Sequence, residues 1–153
     1  VNEMKAKLRR MDKVDLVIID YLRLMASTKK TDNQAQIIGD ITQNLKNMAK
    51  ELNVPIICAA QLNRGGEGPD KKNHRPGLAS LRDSGSIEQD ADIVLFLYRE
   101  HYYDTEKNDP EQYVDEHKAT CIVAKNRHGR TGDVPLYWDG EHTRFTSVAT
   151  NVE

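Results

Sequence analysis

The chain has 153 residues and a formal net charge of −2, which is the length of about one domain. Hydrophobic residues make up 38% and charged residues 30% of the sequence, a composition typical of a folded globular protein and not of a disordered chain. The near-neutral charge excludes a nucleic-acid contact spread over the whole surface, so any such contact is local. We find no signal-peptide pattern and no membrane-spanning run. We therefore expect a cytoplasmic protein, with Cys58 and Cys121 as reduced core residues.

The first strong signal along the chain is an apolar run at residues 16–19 that ends in Asp20. A short basic helix over residues 2–11 is predicted before it, and we expect Val1 to be a cut end. A strand without polar residues on either face is typical of a parallel sheet covered by helices. An aspartate at the strand end can hold Mg²⁺, usually through water, beside nucleotide phosphates. The run has the form of a Walker B strand, although many α/β proteins carry such a strand without a nucleotide.

A helix and a second strand follow. The capping-box spacing of Thr31 and Gln34 predicts the start of the helix, which should reach about Asn53. Its apolar stripe consists of Ile38, Ile41, Leu45, Met48, Ala49 and Leu52. Residues 55–60 form the second apolar strand, and Gln61 is its first polar residue. The order strand, helix, strand predicts a right-handed parallel crossover.

The rest of the chain predicts a loop, an insertion and more strands. Residues 63–77 are a long loop and residues 99–117 a polar insertion by composition. Residues 78–91 should form short helical turns, broken at Gly85. Apolar runs at 92–98 and 119–124 predict two buried strands, and the turn pair Asp139-Gly140 predicts a closing hairpin. The predicted class is α/β, with a mostly parallel sheet, flanking helices and a C-terminal β-hairpin.

Three predicted strands end in groups suited to phosphate chemistry: Asp20, Gln61, and Lys125 with Arg127. If the strands are parallel, these ends lie along one edge of the sheet. Glutamine can sense a terminal phosphate or orient water, and arginine and lysine bind phosphate as a planar fork and a point charge. The simpler alternatives are a polar residue that marks a strand end, and a solvated basic turn at residues 125–130.

Residues 81–92, with the sequence LRDSGSIEQDAD, form the richest stretch. Gly85 allows close backbone approach and Arg82 can meet a phosphate, which suits nucleic-acid contacts that ignore base identity. The alternative is a capped helical turn whose acidic residues lie in solvent.

The combination of these motifs resembles the bacterial replicative DNA helicases of the DnaB family. The matching segments are LVIIDYLRLM at 16–25, AKELNVP at 49–55, QLNR at 61–64, LRDSGSIEQDADIV at 81–94, AKNRHG at 124–129 and TRF at 143–145. Their order holds across nearly the whole chain. The resemblance implies a truncated RecA-like fold of the P-loop NTPase type, in which residues 1–153 are the C-terminal part of the ATPase domain.

The resemblance also implies a function. The full protein would be a homo-hexameric, ATP-dependent helicase that translocates on single-stranded DNA and unwinds the duplex at the replication fork. ATP and Mg²⁺ are the implied cofactors, and primase and a helicase loader are further implied partners. The Walker A loop, the family's catalytic glutamate and the N-terminal domain are expected upstream of Val1. No G-x-x-x-x-G-K-[S/T] pattern occurs in these 153 residues, so we expect this chain alone to be inactive.

The resemblance assigns roles by position. Asp20 corresponds to the Walker B aspartate that acts on magnesium and water, and Gln61 to the phosphate-sensing glutamine. Arg127 corresponds to the arginine finger that completes a neighbouring subunit's ATP site, with Lys125 as its companion. The residues on the loop that grips the single-strand backbone are Arg82, Asp83 and Gly85.

The sequence departs from the family pattern at two site positions. The family often has glutamate at the position of Asp83, and often proline near Arg130.

Two rival functions are also compatible with the sequence. One rival is a RecA-like ATPase of the recombination or circadian-clock type, against which residues 82–92 argue. The other is a non-catalytic DNA-binding or assembly fragment. A phosphate loop upstream would favour a motor, and its natural absence would favour a binding module.

Overall fold

The computed structural model describes residues 1–27, 31, 33–62, 75–104 and 115–148, without the side chains of 82–85 and 103–104. These residues form two compact units, the first within Val1–Gly66 and Ser80–Ala91 and the second within Glu67–Ala79 and Asp92–Glu153. Most of the predicted loop at 63–77 and the middle of the predicted insertion lie outside the described residues. No helix in the described ranges combines the length and apolarity needed to cross a membrane.

The first unit is built around a parallel strand pair and the helices beside it. Its elements are α1 Asn2–Leu8, β1 Val17–Ile19, a 3-10 turn Leu22–Leu24, α2 Gln34–Leu52, β2 Ile56–Cys58 and, after a second 3-10 turn at Leu78–Ser84, α3 Gly85–Asp90. Strands β1 and β2 are parallel, with Ile19 opposite Cys58. The predicted order of strand, helix and parallel strand is therefore confirmed. The predicted short helical turns are also confirmed, since a 3-10 turn ends at Ser84 and an α-helix begins at Gly85.

Helix α2 begins at a different cap from the predicted one. The Asn33 side chain accepts hydrogen bonds from the backbone N–H groups of Ala35 at 3.0 Å and Gln36 at 3.3 Å, as an N-cap residue does. Thr31 instead accepts from the Asn33 N–H at 3.2 Å. The capping-box prediction was wrong because several residues that favour N-caps occur in succession here. The helix ends at Asn53, whose left-handed conformation (φ 52°, ψ 44°) suits asparagine.

The core of the first unit lies under one face of α2. The predicted stripe on α2 is confirmed, since its buried residues pack against Ile19 of β1 and against Leu22. The buried cluster consists of Ile19, Leu22, Ile38, Ile41, Leu45 and Met48. The opposite faces of β1 and β2 are open, because Ile18 is 68% and Ile57 57% exposed. Within the described residues, the prediction of strands buried on both faces is therefore wrong.

Replacing a core isoleucine should cost far more than replacing an exposed one. Ile41 is only 2% exposed, so Ile41→Ala should lower the free energy of unfolding by about 2–5 kcal/mol through reduced burial and a cavity. Ile18→Ala removes the same atoms from a 68% exposed side chain and should cost less than about 1 kcal/mol. Urea unfolding followed by circular dichroism measures both values. Equal losses would contradict the assigned core.

Helix α1 is attached to the end of α2 by charge as well as by packing. Lys5 and Arg9 both form ion pairs with Glu51. The pKa of Glu51 is lowered, chiefly by the hydrogen bond from Lys5. Because the pKa of Glu51 is lowered in the folded state, its ion pairs stabilise the fold at pH values above the ordinary carboxyl pKa. This stabilisation is lost as the pH falls through the lowered pKa of Glu51. Glu51 and Arg9 are exposed and Lys5 is partly exposed, so the ion pairs add little to the attachment.

The second unit is an antiparallel sheet in the order β3-β4-β5-β6. Its elements are β3 Ile93–Tyr98, a short helix α4 His101–Asp104, β4 Lys118–Asn126, β5 Gly132–Asp139 and β6 Arg144–Ser147. The hairpin predicted around Asp139-Gly140 is confirmed. The predicted α/β class is also confirmed, although the antiparallel part is larger than the sequence indicated.

The strands of this sheet alternate between buried and exposed residues. Val94 and Phe96 are buried, at 8% and 5% exposed, whereas their neighbours Ile93, Leu95 and Leu97 are more than half exposed. The prediction that this run is buried on both faces is therefore wrong for the described chain, because only one face is covered.

Aromatic contacts join the end of β3 to the hairpin. The Arg99 guanidinium lies 4.2 Å from the centroid of the Trp138 ring, within the range of a cation–π interaction. Trp138 packs in turn on Phe145, with ring centroids 4.6 Å apart. These contacts fix β5 and β6 against the strand that begins at Ile93.

Candidate functional site

The parallel pair brings two predicted site residues to the same end of two strands. The Ala59 N–H donates to the Ile19 carbonyl at 2.9 Å, and the Leu22 N–H donates to the Ala59 carbonyl at 2.9 Å. The ladder therefore continues beyond both strands, so Asp20 and Gln61 follow its carboxyl end. Both side chains are exposed, and this end is where open α/β sheets place ligands.

The environment of Asp20 fits a hydrated magnesium ion, because its carboxylate is exposed at the strand end. In the parts of the chain that are described, no group of three or more His, Cys, Asp or Glu side chains could hold a metal. Mg²⁺ commonly uses one or two carboxylates, keeps several waters and takes phosphate oxygens for the rest. A single aspartate is therefore compatible with a magnesium ion that a nucleotide also binds.

The predicted DNA-binding stretch leads into α3. Arg82 and Asp83 lie in the 3-10 turn Leu78–Ser84, and Gly85 is the first residue of α3. The side chains of Arg82 and Asp83 lie outside the described part of the structure, so the DNA contacts of this stretch stay a prediction.

Helix α3 is seated on α2 by one hydrogen bond and one close backbone approach. The Thr42 hydroxyl donates to Oδ2 of Asp90 at 2.6 Å. A Cβ on Gly39 would lie 3.3 Å from both Cβ and Oγ of Ser86, so a larger residue at position 39 would push α3 away. The predicted alternative, an acidic face in solvent, does not hold for Asp90. These contacts of Thr42 with Asp90 and of Gly39 with Ser86 form the seam between α2 and α3. The seam holds in place the helix that follows the predicted DNA-binding residues.

The basic residues 125–130 end β4 and form a tight turn into β5. The His128 N–H donates to Oδ1 of Asn126 at 3.3 Å, and Nδ2 of Asn126 donates to the Arg130 carbonyl at 3.5 Å. A Cβ on Gly129 would lie 2.6 Å from Nδ2 of Asn126, so a larger residue there would displace the Asn126 side chain. Asn126 lies between the predicted phosphate-binding residues Lys125 and Arg127, and its side-chain hydrogen bonds stabilise the turn.

Arg127 makes two contacts with Asp92. Its N–H donates to the Asp92 carbonyl at 2.9 Å, and its Nη1 donates to Oδ1 of Asp92 at 3.2 Å. The two side chains are 48% and 45% exposed. Sequence reasoning missed Asp92 as a partner because the residues are 35 positions apart and no periodic pattern links them.

The structure places the predicted phosphate-binding residues in two groups. Asp20 and Gln61 belong to the first unit, and Lys125 and Arg127 to the second. A cavity of about 240 Å³ near the end of α2 includes none of them; it is lined by Leu8, Arg9, Met11, Asp12, Lys13, Val14, Leu52 and Val54. Both cysteines are free and only partly buried, and this burial raises the pKa of the Cys58 thiol.

The sequence profile of the DnaB-like helicase C terminal domain family matches residues 1–147, and the chain belongs to this family. The replicative DNA helicase DnaB of Rickettsia conorii is 41% identical over 165 residues, which cover 98% of this chain and 33% of that protein. The replicative DNA helicase DnaC of Bacillus subtilis is 40% identical, over 97% of this chain and 32% of that protein. The chain thus spans about a third of the length of these relatives.

Two solved structures are similar in both fold and sequence. One is a DnaB-like replicative helicase described with its interactions with primase; it has a TM-score of 0.80 and 36% identity, over 97% of this chain and 34% of that one. The other is the ATPase domain of a second protein, with a TM-score of 0.78 and 37% identity, over 97% of this chain and 49% of that one. The predicted family and RecA-like ATPase fold class are therefore confirmed.

Proposed function

We propose that the chain is part of a hexameric, ATP-dependent replicative DNA helicase that translocates on single-stranded DNA and unwinds the duplex. The observation that carries the proposal is the family match over residues 1–147, in a fold where Asp20 and Gln61 follow the same end of a parallel strand pair. An exposed carboxylate and an exposed amide at that position suit a nucleotide and its metal ion.

The proposed nucleotide chemistry is divided between two subunits. Asp20 holds Mg²⁺ through water and Gln61 senses the terminal phosphate in one subunit. Arg127 and Lys125 reach the phosphates bound by a neighbour, where their charge stabilises the transition state. When bound, Mg²⁺ neutralises phosphate charge. Hydrolysis then depends on assembly, because no subunit holds a complete site.

The proposed DNA contact uses the segment that leads into α3. Arg82, Asp83 and Gly85 bind the single-strand backbone, and the seam between α2 and α3 holds this segment in place. Primase, a helicase loader and a cytoplasmic location belong to the same proposal. The primase part is supported by the similar helicase whose interactions with primase have been described.

The proposal is tested by the activity of the full-length protein. We expect it to hydrolyse ATP and to unwind a forked DNA substrate, with both activities lost together in Asp20→Asn. Asparagine keeps the size of the side chain but removes the charge that binds magnesium. Strand exchange without unwinding would favour the recombination-type ATPase, and DNA binding without hydrolysis would favour the non-catalytic module.

The 153-residue chain alone should hydrolyse ATP no faster than buffer. Phosphate-loop NTPases cradle the phosphates with backbone amides and a lysine, and this sequence contains no such loop. Asp20 by itself cannot replace these groups. Phosphate release by the purified chain is the measurement, with Asp20→Ala as the control for contaminating ATPases. Steady turnover that Asp20→Ala abolishes would contradict the expectation.

A further inference from the structure

We propose that Asp92 is a positioning residue for Arg127, and that it sets the direction in which the guanidinium leaves the sheet. The inference deepens the proposed function, since it assumes that Arg127 acts on a phosphate. Its basis is the double contact already described, in which one hydrogen bond fixes the backbone of Arg127 and an ion pair fixes its side chain.

A β-bulge brings the two residues to the same face of the sheet. Val94 lies opposite Lys125 but Leu95 lies opposite Val123, so Ala124 is an extra residue in β4. Residues directly opposite each other in an antiparallel pair point to one face, and a bulge shifts this alternation by one residue. The bulge therefore puts Lys125, and Arg127 two positions after it, on the face of Val94.

Asp92 lies on that same face. It precedes Val94 by two positions, which is the side-chain period of a strand. The hydrogen bond from the Arg127 N–H to the Asp92 carbonyl extends the ladder by one pair beyond Ile93 and Asn126. An acidic side chain is thus placed directly across from the guanidinium by the register of the sheet, and not by a flexible loop.

The exposure of Asp92 and Arg127 indicates that their ion pair orients the arginine and contributes little to the stability of the fold. Both side chains are about half exposed, and exposed ion pairs contribute little to folding. A guanidinium carries five N–H donors in a planar fork, so the hydrogen bond through Nη1 is compatible with a further bond to a phosphate. Asp92 therefore limits the directions that Arg127 can take without blocking its approach to a ligand.

The test is a double-mutant cycle in the assembled full-length helicase, with kcat and KM for ATP measured at steady state. Asp92→Ala should lower kcat about tenfold at unchanged KM, the loss expected when one charged hydrogen bond no longer orients the acting group. Asp92→Asn keeps the acceptor Oδ1 and should lose less. On an Arg127→Ala background, Asp92→Ala should cause no further loss, because the residue that it positions is absent.

The control is Asp15→Ala, which removes an acid that is 77% exposed and paired with Lys13; its kcat should equal that of the wild type. If Arg127→Ala leaves turnover unchanged, the proposed role of Arg127 itself is wrong. If Arg127→Ala lowers turnover but Asp92→Ala does not, or lowers it equally in both backgrounds, the positioning role is overturned. Should Asp92→Ala fail to fold, Asp92→Asn on both backgrounds decides the same question.

Discussion

Arg127→Ala should lower ATP turnover of the assembled full-length helicase about a thousandfold or more, the range for arginine fingers. Folding and nucleotide binding should remain nearly unchanged. The Arg127 side chain is 48% exposed, so its truncation removes little buried surface, and the Asp92 carboxylate stays solvated in the variant. Steady-state hydrolysis, binding of a non-hydrolysable analogue and thermal unfolding measure the three quantities.

Subunit mixing tests whether the arginine acts on a neighbour. An Arg127→Ala subunit mixed with one that lacks a working phosphate loop but keeps Arg127 should regain some activity, because one type binds ATP and the other supplies the charge. Arg130→Ala is the matched control, since it removes an exposed cation from the same turn and should change turnover less than about tenfold. Absence of rescue at every ratio, with subunit exchange confirmed, would refute action in trans.

Arg82→Ala should weaken single-stranded DNA binding by the full-length helicase about equally for all sequences, because a phosphate contact carries no base information. The slope of log affinity against log salt should fall by about 0.7 for each phosphate that the variant no longer neutralises. That slope corresponds to roughly fivefold in affinity per phosphate at 0.1 M salt, and the effect multiplies over the engaged subunits. ATP hydrolysis without DNA should survive, while stimulation by DNA and unwinding fall together.

Salt titrations of binding to several homopolymer strands measure this effect. Arg10→Ala is a suitable control, because it removes an exposed arginine after α1 and should leave the slope unchanged. An unchanged slope in Arg82→Ala, or a loss confined to one base sequence, would show that Arg82 has a structural role in the turn. The proposed DNA contact would then have to be assigned elsewhere.

The first unit was largely predictable because its signals are local. The stripe on α2 recurs at helical spacing, and the apolar runs on either side of it predicted the β1–α2–β2 order that the structure contains. The turn pair Asp139-Gly140 predicted the hairpin for the same reason. The placement of Asp20 and Gln61 at one end of β1 and β2 followed from the parallel crossover. Their roles came from the family resemblance and remain proposals.

The structural features that could not be predicted from the sequence depend on contacts between residues far apart in the chain. Apolar runs do not encode strand direction, so the antiparallel pairing of β3 with β4 was not visible. The same runs predicted burial on both faces, whereas Ile18, Ile57 and Leu95 are exposed. Burial depends on what packs against each face, which a local pattern cannot reveal. The contact between Asp92 and Arg127 was missed because it is set by sheet register.

The bulge at Ala124 also restricts how the length of the chain can vary among homologues. Deleting Ala124 would join Val123 directly to Lys125, so Lys125 would stay opposite Val94 and Arg127 opposite Asp92 in a regular ladder. Deleting Asn126 would instead bring Arg127 opposite Ile93 and turn it to the other face, since a shift of one residue reverses every following side chain. An insertion after Arg127 leaves both positions unchanged. Natural gaps should therefore be tolerated at Ala124 and after Arg127, and be rare between Lys125 and Arg127.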